Sequence, residues 1–171
     1  MTPSPLRLIN SVCKTSFWHL RYIWRIHTYL DKSSLEIPIH AFITNKLDYC
    51  NCLLTGFPKY LIKRLQPVQN AAACLVSGTK KHDHIMPILH ELHWLLVEKH
   101  ITHKVLLITF KCLNNLAPSY LSDLIIQWTL HSSSKNLSEF HGTNTIRYGK
   151  RAFCAVAPRL WNSLPLGLRL I

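Results

Sequence analysis

Six histidines, His82, His84, His90, His93, His100 and His103, crowd one stretch of the chain, and Cys50 and Cys52 add two thiols upstream. Imidazole and thiolate are the usual ligands of zinc, so metal binding is the first chemistry to weigh. The spacing argues against it. His90-Glu91-Leu92-His93 is one residue short of the His-Glu-X-X-His pattern that sets two imidazoles on one helical face, and the Cys-X-Cys has no second matching pair. Surface histidines and small buried thiols are the favoured reading, with no metal and no cofactor.

Two-metal phosphoryl chemistry needs carboxylates that converge on one point. The acids of this chain stand singly, at Asp31, Glu36, Asp48, Asp83, Glu91, Glu98, Asp123 and Glu139. Five glycines are spread along the sequence, and Gly78-Thr79-Lys80 lacks the earlier glycine of a phosphate-cradling loop. No Gly-X-Ser-X-Gly elbow marks a nucleophile. The expectation is a protein without catalytic residues of its own.

The positive charge is better organised. Twenty Lys and Arg against eight Asp and Glu leave a formal net charge of +12, which selects polyanionic partners. Lys14, Trp18, Arg21 and Arg25 recur at helical spacing with no acid before Asp31, so they share one face. Lys59, Lys63, Gln66 and Asn70 repeat the spacing, with Arg64 beside them. From Gly142 onward Arg147, Lys150, Arg151, Arg159 and Arg169 meet no acidic residue. Such faces suit RNA or DNA backbone, because Lys and Arg displace condensed counterions without reading bases. The predicted contacts are Lys14, Arg21, Arg25, Lys59, Lys63, Arg64, Arg147, Lys150 and Arg151. Trp18, Tyr22 and Tyr60 could stack on bases, although aromatics at helical spacing are more often core.

The elements that must hold these residues read as mainly α, an irregular bundle of about five to seven helices. Apolar residues at Leu6, Ile9, Cys13, Phe17, Leu20, Trp24 and Leu30 predict a helix over 5–30 with one buried stripe. Ser33-Ser34-Leu35-Glu36 has capping-box spacing and opens a second helix through Ile39, Phe42, Ile43, Leu47 and Leu53, whose start Pro38 would push later. Phe57-Pro58 opens a third, kinked at Pro67 and stopped at Gly78. A short segment over 85–92 leads into the central core helix carrying Val97, Ile101, Val105, Ile108 and Cys112. Pro118 starts another over 119–126, and a polar loop occupies 129–147. The tail, 148–164, has Ala152, Val156, Leu160 and Leu164 at intervals of four, interrupted by Pro158. The domain reading is therefore 1–128, a linker at 129–147, and a truncated helical tail at 148–171. No apolar run approaches the ~20 residues of a membrane span. Six cysteines without a leader point to a reducing, intracellular compartment, nucleus or cytoplasm, and not to secretion.

Several segments, in order, carry a resemblance. His40-Ala41-Phe42-Ile43-Thr44-Asn45-Lys46-Leu47-Asp48-Tyr49-Cys50-Asn51 is followed by Leu65-Gln66-Pro67-Val68-Gln69-Asn70-Ala71-Ala72-Ala73, then Leu92-His93-Trp94-Leu95, then Leu116-Ala117-Pro118-Ser119-Tyr120-Leu121-Ser122-Asp123-Leu124. Tyr148-Gly149-Lys150-Arg151-Ala152-Phe153 and Ala157-Pro158-Arg159-Leu160-Trp161-Asn162-Ser163-Leu164-Pro165 complete the series. Together they resemble the region after the catalytic palm in LINE-type, non-LTR retrotransposon reverse transcriptases of the jockey-like group.

The resemblance implies a helical thumb and post-thumb region that grips template and primer backbone, with Met1 an internal start. The endonuclease and the palm carboxylates would lie upstream. Departures from the family pattern are Pro38 and Pro67 inside helices, Cys52 for a usual Ser and Leu96 for a usual Pro. Two interior prolines could each cost about 3 kcal/mol, the mark of a decaying element copy. The alternative is a helical interaction or self-association module, exposing the apolar surface that once packed on the palm.

Overall fold

A computed structural model describes residues 5–49, 54–79, 84–125, 138 and 153–169. The fold is mainly α, with no strand among the described residues. The chain divides into two compact units, residues 1–100 and 101–171. No helix among the described residues is long and apolar enough to cross a membrane.

The first unit opens with helix α1, Pro5–Ile26, whose last turn holds Arg25 where a cation complements the helix dipole. A single 3₁₀ turn, His27–Tyr29, ends it. Helix α2, Lys32–Ile39, starts earlier than the capping-box spacing suggests. Asp31 is its N-cap, accepting the Ser34 N–H at 3.4 Å and the Ser33 hydroxyl. Ser33 therefore lies inside the first turn, and Pro38 does not delay the start.

Pro38 sits within α2, and a π-helical turn, His40–Thr44, follows before α3, Asn45–Tyr49. The turn keeps a strict four-residue repeat in the core. On an ideal α-helix such a repeat drifts by about 40° per step. The wider π turn takes back part of that drift, and Leu35, Ile39, Ile43 and Leu47 are all buried. Phe42 is exposed, stacked on His19 of α1 with centroids 4.9 Å apart. Leu53, the end of the predicted segment, lies outside the described residues.

The predicted third helix is two helices. Helix α4, Lys59–Ile62, gives way to a turn, and α5, Gln66–Ser77, restarts with Pro67 in its first turn. There the missing N–H has no intrahelical partner to lose, so Pro67 makes a boundary and not a kink. Gly78, at φ 67°, closes α5 as expected, and Thr79 donates to the Cys74 carbonyl. The α5 core is small: Val68, Ala72 and Ala73 are fully buried, which lets α1, α2 and α6 approach it closely. Helix α6, Ile85–Glu91, adds Ile88 and Leu89 to Ala73, flanked by Leu92, Trp94 and Leu96. His93, at φ 55°, turns the chain after α6, so this member of the histidine cluster serves a backbone reversal.

Helix α7, Val97–Leu113, begins in the first unit and continues into the second. Its predicted core face is correct at Val97, Ile101, Val105 and Cys112, while Thr109 is more deeply buried than Ile108. The Thr109 hydroxyl donates to the Val105 carbonyl at 2.8 Å. Asn115, at φ 55°, follows its end, and Leu116 N–H closes back on the Lys111 carbonyl.

Within the second unit Val105, Cys112, Ile125 and Ala157 form a core, completed by Ile108, Phe153 and Leu160. Helix α8, Ser119–Ser122, is shorter than predicted and relaxes into hydrogen-bonded turns to Ile125. Helix α9, Phe153–Asn162, runs through Pro158 and buries Ala155, Val156, Ala157 and Trp161. Helix α10, Leu166–Arg169, follows Pro165. Of the predicted polar loop only Ser138 is described; its backbone N–H and C=O both pair with the Asn162 side chain at 3.0 Å.

Candidate nucleic-acid interface

Helix α1 buries Ile9, Val12, Ser16, Leu20 and Ile23. This arc is rotated from the predicted one: Leu6, Phe17 and Trp24 satisfy the same spacing yet are exposed. Both arcs fit a 3.6-residue period, and packing against α5 selects the one with the smaller side chains. Opposite the buried arc stand Lys14, Trp18, Arg21 and Arg25, all exposed as expected. Arg7 joins them on the exposed side, a residue that the charge pattern did not single out. Its signal was the seven-residue spacing Arg7, Lys14, Arg21, which returns to nearly the same azimuth every two turns.

Aromatic rings are set into this cationic face. Trp18 is 54% exposed and Tyr22 48%. Their ring centroids lie 4.3 Å apart, and the Arg25 guanidinium carbon stands 5.4 Å from the Tyr22 ring centre. That distance is within the range of a cation–π contact, which holds the guanidinium beside the rings.

Lys59, Lys63 and Arg64 are exposed on α4 and the turn after it, with Tyr60 exposed between them. The Cys13 thiol donates to the Arg64 carbonyl at 3.4 Å, which sets the Arg64 backbone against α1 at Cys13. Burial pushes the Cys13 thiol pKa up, and the nearby Arg64 charge opposes that rise only in part. Lys59 is answered by Glu98, 3.3 Å away.

Gln66 and Asn70 do not extend the Lys59 and Lys63 face, because α4 and α5 are separate helices. The Gln66 amide nitrogen donates to Gln69 and Asn70 at 2.8 Å, and its oxygen accepts the Val97 N–H at 3.0 Å. These side chains clamp the start of α7. In the third zone Arg147, Lys150 and Arg151 lie outside the described residues. Arg159 is exposed on α9, and Arg169 is half-buried on α10.

Four of the described carboxylates have local occupations. Asp31 caps α2, Asp48 pairs with His100 at 3.2 Å, Glu91 with Lys32 at 3.4 Å, and Glu98 with Lys59. Among the described residues no three His, Cys, Asp or Glu side chains gather where they could hold a metal ion. His82, Cys50 and Cys52 lie outside the described residues.

Beside the basic face runs an apolar groove of about 630 Å³, lined by Phe17, Leu20 and Trp24 of α1, Cys74 and Leu75 of α5, and Ile85 of α6. Trp24 is 62% exposed at its edge. Comparison with protein-family models, with curated proteins and with solved structures returns no match for this chain.

Proposed function

We propose that this chain is a non-catalytic piece of a LINE-type reverse transcriptase that holds nucleic-acid backbone on a basic helical surface, with weak preference for sequence. The observation that carries the binding reading is α1 itself: a 22-residue helix with Lys14, Arg21 and Arg25 exposed on one face and no acidic residue. Phosphates meeting that face release counterions without an intramolecular acid competing from the same helix. The ordered resemblance supports the family reading, and the dispersed occupations of Asp31, Asp48, Glu91 and Glu98 support the absence of catalysis. Such a chain would act in the nucleus or cytoplasm.

Binding of labelled RNA and DNA over a salt series tests this. Affinity should fall linearly on a log–log plot, and replacing Lys14, Arg21 and Arg25 by Gln should flatten the slope by about 0.9 on duplex DNA, or about 0.7 on a single strand, for each phosphate no longer neutralised. Salt-independent binding, or none at low salt, overturns the reading.

The second reading is self-association, and the groove between Trp24 and Leu75 favours it, since exposed apolar surface of this kind marks contact sites. Its occupant would be a second copy of this chain. Sedimentation should then show a concentration-dependent dimer that Trp24→Ser weakens and the Gln substitutions leave intact.

A further inference from the structure

We infer that Trp18 is a stacking platform that makes this surface select single-stranded over duplex nucleic acid. The inference rests on the proposed backbone binding and adds the form of the ligand. Trp18 stands one helical turn from Lys14 and from Arg21, between them along the helix axis and on the flank of the cationic face, beside Arg25. An indole on a surface helix normally turns its apolar body towards the core, yet about half of this one is uncovered.

Neighbouring rings hold it in place. Tyr22 tilts against it at 52°, and His19 meets it edge-on, 5.0 Å away at 82°. Arg25 over the Tyr22 ring extends the set to a second π-surface bearing a positive charge. Pre-placed rings lose little rotamer freedom when a base stacks on them.

The chemistry separates the two ligands. A duplex offers this face phosphates alone, because its bases are stacked and paired inside. A single strand offers phosphates to Lys14, Arg21 and Arg25 and an unpaired base to Trp18, and every base has a π-face. Stacking adds affinity that is independent of salt, whereas the phosphate contacts are salt-dependent.

The test uses the full chain with oligothymidylate of about a dozen nucleotides and a duplex of the same length, followed by anisotropy over a salt series. Trp18→Ala should lower single-strand affinity by about tenfold, leave duplex affinity within about twofold, and leave both salt slopes unchanged. Trp18→Phe should recover part of the loss. Circular dichroism should be unaltered, since the side chain is exposed.

Equal loss on both ligands, or no loss on the single strand, overturns the platform. If Lys14→Gln, Arg21→Gln and Arg25→Gln together weaken binding while Trp18→Ala does nothing, the platform alone falls. If wild-type chain binds neither ligand at low salt, the underlying reading falls with it.

Discussion

Gln66, in the first turn of α5, caps the start of α7 from a distance: its Oε1 accepts the Val97 N–H at 3.0 Å across a separation of 31 residues. The first N–H groups of a helix have no intrahelical partner, and here one is met by a side chain from a different helix. Gln69 secures the same junction, donating to the Leu95 carbonyl at 2.8 Å. Gln66→Ala leaves a half-buried donor at Val97 without this acceptor and should destabilise the protein by about 1 kcal/mol. Urea unfolding of the variant against wild type measures it; an unchanged midpoint would show that water replaces the amide at no cost.

Asp31 gives a pH-dependent cap. Hydrogen bonds from Ser33 and Ser34 hold its carboxyl at about 2, below the ordinary 3.8. A folded-state pKa below the unfolded value means that the charged form is stabilised by folding. The cap's contribution is therefore complete above 3.8 and is lost as pH falls towards about 2. An NMR titration should place the Asp31 carboxyl below the ordinary 3.8. Asp31→Asn should remove this part of the acid sensitivity, because Asn caps without titrating.

Ser16 lies fully buried in the apolar arc of α1, and its hydroxyl has no hydrogen-bond partner among the described residues. A buried unpaired hydroxyl carries its desolvation penalty, and Ala is the better helix former. Ser16→Ala should stabilise the protein by about 1 kcal/mol, seen as a higher urea midpoint. A loss of stability would mean that the hydroxyl is bonded.

Much of this architecture was legible locally. The stop at Gly78 follows from a left-handed residue that only glycine takes easily, and the α7 core face from a long aliphatic repeat. The rotation of α1 was not legible, because Phe17 and Trp24 keep helical time as well as Val12 and Ile23, and only the Ala-rich partner α5 decides between them. Pro67 illustrates the same limit. A proline inside a periodic run reads as a kink until the structure shows the preceding helix already ended at Ile62. In the candidate site the exposure of Lys14, Arg21 and Arg25 was readable from the charge pattern, whereas that of Trp18 was not, because an aromatic at helical spacing is more often core. The engagement of Gln66 and the Lys59–Glu98 pair were not, since both join residues far apart in sequence.

That last pair distinguishes the two basic zones electrostatically. Lys59 Nζ stands 3.3 Å from Glu98 Oε1, whereas α1 carries no acid at all. Both partners are substantially exposed, with side-chain accessibilities of 79% and 43%, so the pair is screened and contributes little to stability. Under the proposed binding reading its effect falls on affinity, because a phosphate approaching Lys59 would compete with the carboxylate and meet its repulsion. Glu98→Gln should therefore raise affinity for RNA or DNA and steepen the salt slope by up to about 0.9, the value of one further neutralised phosphate. Lys59→Gln should cost less affinity than Arg21→Gln when Glu98 is present, and an equal amount once Glu98 is Gln. Salt titrations of wild type, the three single variants and the Lys59→Gln/Glu98→Gln double variant complete the comparison; a Glu98→Gln variant with unchanged affinity and slope would place Lys59 outside the path of the phosphate chain.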